Sequence, residues 1–427
     1  MGRPKKITPT VEKAPASLEG SFDLLADHHS CWNFFVDRLN NLSQTFSYSK
    51  LDTPLLEDAR LFKFWTEAGP EQLLFLNNDK DTRLAVKPTN LFGVARAYLE
   101  HKFYEREKVT KWFYLSPVAH VTADKQIKQQ HEYGFQIFGD TAGIADAQII
   151  NLLLRLFKEI GLNKVTLHIN NVGCLECRPI FQEVLKNFFK DKKYDLCESC
   201  LEYIETNPLK ILACSNLSCN TVISEAPVVV DFLCENCRAH FVDVLEGLEE
   251  LNISFNLNQK VIGQPWSRKT VFDLRVQSDN LEEVKLGEGG HADDLIQSLG
   301  GPPITALGFS GTVQSALEAL EQANVKYSTK SRVDVFLVPL GELAAKKTLR
   351  LFTDLWNHNI VASEFIGPGS IRTQLKLAES NKASIALIVG QKEARDGTVI
   401  LRDVRSGMQE LFTVERIIEE VKKRLGK

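Results

Sequence analysis

Eight of the nine cysteines fall between residues 174 and 237, and they come as four close pairs: Cys174/Cys177, Cys197/Cys200, Cys214/Cys219 and Cys234/Cys237. Three pairs have the C-x2-C spacing that lets two thiolates of one tight turn converge on a tetrahedral zinc ion. A disulfide framework also needs an even number of cysteines, but it belongs to small secreted domains, and this chain of 427 residues shows no signal-peptide pattern. Redox catalysis needs one reactive pair, whereas these pairs come as a set. The residues therefore point to zinc, in two closed four-cysteine sites that contribute folding energy rather than catalysis. Sequential pairing gives Cys174, Cys177, Cys197 and Cys200 to one ion and Cys214, Cys219, Cys234 and Cys237 to the other; interleaved pairing satisfies the same spacing. The stretch is small and rich in polar residues, so metal is expected to replace a core that it cannot otherwise build.

The length allows two or three domains, each with its own core. A net charge of -4 gives no global pull toward nucleic acid, which leaves local basic patches as the only route to RNA and argues against DNA. No apolar run approaches a membrane span, and a cytoplasmic protein is expected. Residues 1–17 contain lysines and prolines without an apolar core and read as a disordered, solvated tail.

From residue 18 onward, amphipathic helices alternate with short strands. Helical spacing is expected over Phe22–Leu42, Leu91–His101, Ala145–Ile160, Phe241–Leu251 and Val313–Gln322. Strands are expected at Leu73–Leu76 and Leu84–Val86, paired around the turn Asn78-Asp79-Lys80-Asp81. Further strands are read at Lys111–Leu115, Tyr133–Phe138, Val165–Ile169, Val271–Val276 and Ala306–Ser310, with a polar loop over Thr122–Gln129. Glu288-Gly289-Gly290 and Gly300-Gly301 read as turns. Beyond a linker at Tyr327–Arg332, strands at 333–339, 360–365, 384–389 and 398–403 alternate with helices at 341–358, 370–380 and 414–424. That pattern describes a small α/β domain with a mainly parallel sheet.

Several phrases within these elements are specific: DTPLLEDARLF (52–62), LAVKPTNLFGVARAYLEH (84–101), FQIFGD (135–140) followed by Asp146-Ala147, LEYIETNPLKIL (201–212), VDVFLVPLGE (333–342) and GSIRTQLKLAES (369–380). In this order they resemble histidyl-tRNA synthetase, a class II aminoacyl-tRNA synthetase, from about residue 20 to 425. The resemblance implies an α+β class II synthetase-like core, an antiparallel sheet with helices, over 18–170 and 240–326. A cysteine-rich zinc-binding insertion over 171–239 interrupts that core, and an anticodon-binding-like α/β domain covers 332–427. It also implies a homodimer built on the motif 1 neighbourhood at 52–62, and tRNA as a partner.

The departures from the family concentrate at its chemistry. The motif 2 arginine that meets the α-phosphate falls on His120, and the glutamate after it on Thr122. The glutamate of R-P-E falls on Thr89, with Lys87 for its arginine, and the glutamate of G-V-E on Gln136. The arginine before G-L-D-Y-Y falls on Ile262, and the two tyrosines on Trp266 and Ser267. The G-G-R-Y-D loop reads Gly289-Gly290-His291-Ala292-Asp293, and the motif 3 arginine falls on Ser315. Losing one preorganised electrostatic partner costs ~3–4 kcal/mol of transition-state stabilisation. Isoleucine cannot donate to a phosphate and serine brings no charge. A shifted register could bring in Arg268, Lys125 or Lys128, but cannot replace every lost cation.

Other tempting residues have plainer readings. His120, His131 and His291 fit ordinary polar or half-buried positions. Lys190, Lys192 and Lys193 fit a solvated helix end, and Lys422, Lys423 and Arg424 suit the dipole of a last helical turn. The sequence thus describes a histidyl-tRNA synthetase-like protein without aminoacylation, a vestigial pocket at Thr89, Gln136, Trp266, Gly289 and Gly290, and a role in binding tRNA or a partner enzyme. The regulatory subunit of ATP phosphoribosyltransferase, which resembles the synthetase core alone, is a precedent. The main rival is a divergent, active histidine–tRNA ligase that uses ATP and Mg. A histidine or nucleotide sensor is a third reading, disfavoured for histidine by Thr89 and Gln136.

Overall fold

The computed structural model describes residues 16–21, 23–66, 73–76, 83–122, 125–139, 142–277, 283–325, 333–365 and 369–426. Most of the expected tail, the 78–81 turn, the 327–332 linker and Asp140 lie outside the described residues. The described residues form two compact units, one ending at 325 and one starting at 333.

The strands of the first unit are β1 (Ser49–Lys50), β2 (Leu56–Asp58), β3 (Phe75–Leu76), β4 (Leu84–Val86), β5 (Thr110–Val121), β6 (Ile127–Phe138), β7 (Val165–Asn171), β8 (Phe255–Leu257), β9 (Arg268–Gln277), β10 (Glu283–His291) and β11 (Ala306–Thr312). Eight of them make one sheet in the order β1-β5-β6-β11-β10-β9-β7-β8; β2, β4 and β3 make a small antiparallel sheet. The large sheet is antiparallel except at its two ends, where β1 runs parallel to β5 and β8 parallel to β7. Its backbone is the β5–β6 hairpin, paired from Thr110↔Phe138 to Val121↔Ile127. Both strands reach well beyond the expected 111–115 and 133–138, and the polar loop shrinks accordingly.

Strand periodicity sorts the side chains. Tyr133, Phe135 and Ile137 of β6 and Leu307 and Phe309 of β11 enter a core shared with the helices Ala26–Thr45, Gly143–Glu159 and Val313–Gln322. Trp112 and Tyr114 of β5, Phe138 and Ala306 point the other way, into a second core with the Leu91–Glu100 and Asp293–Ser298 helices. Gly134 lies between the two, and a Cβ there would run into the Tyr114 hydroxyl and the Phe309 carbonyl. The expected turn at Glu288–Gly290 is corrected: these residues lie inside β10. The glycines there are spaces for neighbouring rings, since side chains at Gly287 and Gly289 would strike Phe309 and Phe272.

Residues 174–237 fold as short helices after the longer Cys177–Asp191 helix. The expectation that this stretch lacks a core is corrected. Phe181, Leu185, Phe189, Ile204, Leu212 and Ile223 are buried together, with cysteines of all four pairs in or against the cluster. The chain then returns through the Glu235–Glu250 helix, which packs along the Gly143–Glu159 helix. Contact is close because Gly143 and Gly247 sit at the crossing, where added side chains would meet Asp243 and Ala147.

In the second unit, β12 (Val335–Pro339), β13 (Ala362–Glu364), β14 (Ile385–Val389), β15 (Thr398–Asp403) and β16 (Gln409–Thr413) form a sheet ordered β13-β12-β14-β15-β16. Only the β12–β13 and β12–β14 pairings are parallel; β14–β15 and β15–β16 are antiparallel, so the expected mainly parallel sheet is mixed. Among the described residues, no helix is long and apolar enough to cross a membrane.

Candidate functional site

A cavity of about 300 Å³ lies over the face of β6 that presents Gln130, Glu132 and Gln136. Gly308, Ser310 and Thr312 of β11 and the Lys285–His291 stretch of β10 extend this floor, while Thr89, Leu91, Trp65 and the Gly263–Ser267 segment line its sides. Thus the polar side of β6 and β11 faces the cavity because their apolar side faces the core.

One wall is held by a buried polar relay. The Lys87 ammonium, only 1% exposed, donates to the Thr53 carbonyl (3.0 Å), Thr53 Oγ1 (3.0 Å) and Ser116 Oγ (2.9 Å). Ser116 donates to Asn90 Oδ1 (2.6 Å), and Asn90 donates to Glu132 Oε1 from its backbone (2.7 Å) and its amide (3.1 Å). Thr89 Oγ1 adds a third donor (3.1 Å). Burial raises the Glu132 carboxyl above its usual range, against the opposing pull of these donors and of Lys87. Burial likewise lowers the Lys87 amine, with Glu132 pulling the other way. Lys87 therefore serves the wall. Glu132 escapes sequence reasoning because one acid within a strand reads as a solvated residue; its in-step spacing with Gln130 and Gln136 was the available signal.

The structure gathers Thr89, His120, Gln136, Trp266, Gly289, Gly290 and Ser315 around the cavity. Two expected positions are elsewhere. Ile262 packs against the core of the cysteine-rich stretch, and Thr122 closes the β5–β6 turn through hydrogen bonds with Gln126 (3.1 and 3.2 Å). Burial, then the neighbouring Lys128, lowers the His120 pKa and keeps the ring neutral near pH 7. Ser315 is engaged in helix capping, its hydroxyl 2.7 Å from Thr312 Oγ1. Trp266 stacks on Trp65 at 5.8 Å and meets Phe92 edge-on at 5.1 Å, so an indole stands where the resemblance places a tyrosine.

Substitute cations are engaged elsewhere. Arg268 pairs with Asp294 (2.6 Å) and donates to the Ser267 carbonyl (2.8 Å). Lys128 lies across the hairpin from His120 on an exposed stretch of β6, and Lys125 sits in the turn. Lys285 does line the cavity, but it pairs with Glu288 at 2.6 Å. His131 leans on Trp32, with ring centroids 4.7 Å apart. His291 also borders the cavity, and its ring is held by Asp146, 3.0 Å from Nε2, and Asp293, 3.1 Å from Nδ1. Burial would lower the His291 pKa, but Asp146, reinforced by Asp293, raises it to about 9 in the metal-free chain.

The cysteines converge in two groups, and sequential pairing is corrected. Cys174, Cys177, Cys234 and Cys237 form one; Cys197, Cys200, Cys214 and Cys219 form the other. The pairing is nested because the 15-residue Cys177–Asp191 helix carries the chain roughly 22 Å away before the second pair occurs. The Glu235–Glu250 helix starts back beside the first pair. Sulfur separations are 3.7 Å (Cys174–Cys177), 3.8 Å (Cys174–Cys234 and Cys197–Cys214) and 3.9 Å (Cys200–Cys219). Tetrahedral sulfurs about 2.3 Å from a zinc ion would stand about 3.8 Å apart, so both groups could hold one. Backbone amides also point at these sulfurs, as from Glu176 to Cys174 (3.4 Å) and Asn216 to Cys214 (3.4 Å).

A central antiparallel sheet with this cavity, followed by a separate mixed-sheet unit, defines the class II aminoacyl-tRNA synthetase architecture with an anticodon-binding domain. Residues 20–196 match the family Histidyl-tRNA synthetase, and residues 334–424 match the Anticodon binding domain. The histidine–tRNA ligase of Halothermothrix orenii is 31% identical over 419 residues, covering 96% of this chain and 99% of that protein. Apo histidyl-tRNA synthetase of S. aureus has a similar structure, with a TM-score of 0.79, 23% identity, and coverage of 96% of this chain and 99% of that one. An ATP phosphoribosyltransferase regulatory subunit/histidyl-tRNA synthetase from Bacillus halodurans shares the fold at a TM-score of 0.63 and 17% identity, over 90% of this chain and 99% of that one. The chain belongs to the histidyl-tRNA synthetase family.

The relay generates a stability prediction. Lys87→Met leaves the Thr53 carbonyl and the Ser116 hydroxyl without their buried donor and removes the positive charge that favours the Glu132 carboxylate; it is expected to cost about 3 kcal/mol in urea unfolding, with part of the loss recovered when Glu132→Gln is added. The unfolded chain releases the Glu132 proton near 4.5 and the folded chain only at a higher pH, so the associated stability is complete below 4.5 and is lost as pH rises through the folded value. Glu132→Gln abolishes that loss, and its stability relative to the parent chain is expected to grow as pH rises above 4.5.

Proposed function

We propose that this chain keeps the histidyl-tRNA synthetase scaffold, has lost the activation of histidine by ATP, and acts by binding tRNA or a partner enzyme. The supporting observation is the charge of the cavity. Among the described residues that line it, Lys285 is the one ammonium, there is no guanidinium, and the His291 ring is held by the carboxylates of Asp146 and Asp293, while Glu132 and Glu288 are both acidic. A triphosphate brought there would meet a neutral imidazole at His120, a capping hydroxyl at Ser315 and the indole of Trp266. Desolvating polyphosphate charge without cations to receive it is strongly unfavourable. The division into a core (18–170 and 240–326), an insertion (171–239) and a C-terminal domain (332–427) belongs to this reading. So does a homodimer using the 52–62 segment, where Leu55 and Leu56 are 43% and 45% exposed. The match of residues 334–424 to an anticodon-binding domain supports tRNA as the first partner to test.

The relative from Halothermothrix orenii is named as a histidine–tRNA ligase and matches nearly end to end, which favours the rival reading of an active enzyme. Histidine-dependent ATP–pyrophosphate exchange separates the two. We expect exchange far below ~1 per second, the low end of ordinary turnover. Exchange at or above that rate would establish the ligase.

We further propose that each cysteine group holds one structural zinc ion. Nested pairing makes a clear demand on metal content. Cys174→Ala with Cys234→Ala should remove one equivalent of zinc from the purified protein, whereas Cys174→Ala with Cys197→Ala should remove two. Sequential pairing requires the reverse.

A further inference from the structure

Asp146, His240 and His291 form a third group of metal-ligating side chains, remote in sequence and converging in space. All three are buried, and one ligand atom of each lies within 4.8 Å of the others. The fold brings them together from different elements. Asp146 is in the first turn of the Gly143–Glu159 helix, His240 lies on the Glu235–Glu250 helix packed against it, and His291 ends β10. Asp146 Oδ2 is 3.0 Å from His291 Nε2 and 3.6 Å from His240 Nε2. Tetrahedral ligands about 2.0–2.1 Å from a zinc ion stand about 3.4 Å apart, a value between these two separations.

Two further observations point to a ligand. His240 is only 9% exposed, yet neither of its ring nitrogens has a hydrogen-bond partner. A buried imidazole left this way gives up the hydrogen bonds it had in water, a loss that a bound cation would offset. His291 also has the outer partner that a metal-bound histidine takes. Its Nδ1 faces Asp293 Oδ1 at 3.1 Å, and Asp293 is itself fixed by Lys269 at 2.7 Å. Such a carboxylate sets the tautomer that leaves Nε2 free to coordinate.

We propose that Asp146, His240 and His291 bind a divalent cation of the zinc class, distinct from both cysteine groups and placed where His291 also lines the cavity. One carboxylate and two imidazoles are a borderline donor set that zinc and cobalt(II) both accept. His240 follows Cys237 by three residues on one helix, so occupancy here ties the cysteine-rich stretch to the cavity floor.

Cobalt(II) titration of the full-length protein, stripped of metal under reducing conditions, tests this. Thiolate sites give an intense sulfur-to-cobalt charge-transfer band, and an Asp/His/His site gives none. We expect one further equivalent, visible only as weak visible absorption, beyond those that build the thiolate band. That equivalent should be missing from Asp146→Asn and from His240→Leu, with the thiolate band unchanged. Metal analysis of the zinc-loaded proteins should show the same difference of one. If wild type and variants bind equal amounts, Asp146 and His291 are only an ion pair and the proposal is overturned. Absence of the thiolate band would instead count against the cysteine sites and leave this difference readable. If neither variant folds, saturation of the wild type with no absorption outside the thiolate spectrum overturns the proposal by itself.

Discussion

The alternation of side chains along β6 and β11 is the constraint from which the cavity follows. Each apolar side chain that β6 commits to the helical core, Tyr133, Phe135 and Ile137 in turn, directs its neighbours Glu132 and Gln136 to the opposite face. β11 obeys the same rule with Leu307 and Phe309 against Gly308 and Ser310. A slip of one residue would place a carboxylate in the core, so the register cannot drift. The chemistry of the cavity is therefore decided by which polar residues occupy a few fixed positions. At those positions the chain carries acids, amides, glycines and hydroxyls.

In the proposed reading, charge is the property that changed while the scaffold stayed. Lys87 and Arg268 are present in the sequence, yet each is satisfied within the fold by a carbonyl, a hydroxyl or a carboxylate. A cation already paired and buried contributes little field to a ligand, and moving it would leave its partner uncompensated. This explains why counting lysines and arginines near a family motif is a poor guide to phosphate binding. The cysteine-rich stretch is anchored at its base by the group containing Cys174 and Cys237, where the chain leaves and re-enters the sheet region. The helix returning from there carries His240 against Asp146, so the cysteine-rich stretch and the cavity floor share one helix pair.

Much of this was legible in the sequence, for physical reasons that differ by element. The Val313–Gln322 helix and the 398–403 strand have the expected bounds because amphipathic period and flanking residues agree there. The glycines of β10 were misread as a turn. Glycine usually marks chain reversal, and nothing local announces that Phe272 and Phe309 need the room. Cysteine spacing identified metal-type pairs but not their partners, since nesting depends on where a 15-residue helix ends. Ile262 looked like a cavity residue by position in a motif, but its apolar side chain turned to the core of the cysteine-rich stretch. The Asp146–His240–His291 group was invisible because its members lie far apart in sequence.

The proposed function rests on a cavity that does not accept a polyphosphate. Calorimetric titration of the full-length protein with MgATP, with and without histidine, tests it most directly. No saturable binding tighter than ~1 mM is expected in either condition. Saturable binding near ~1 μM would contradict it.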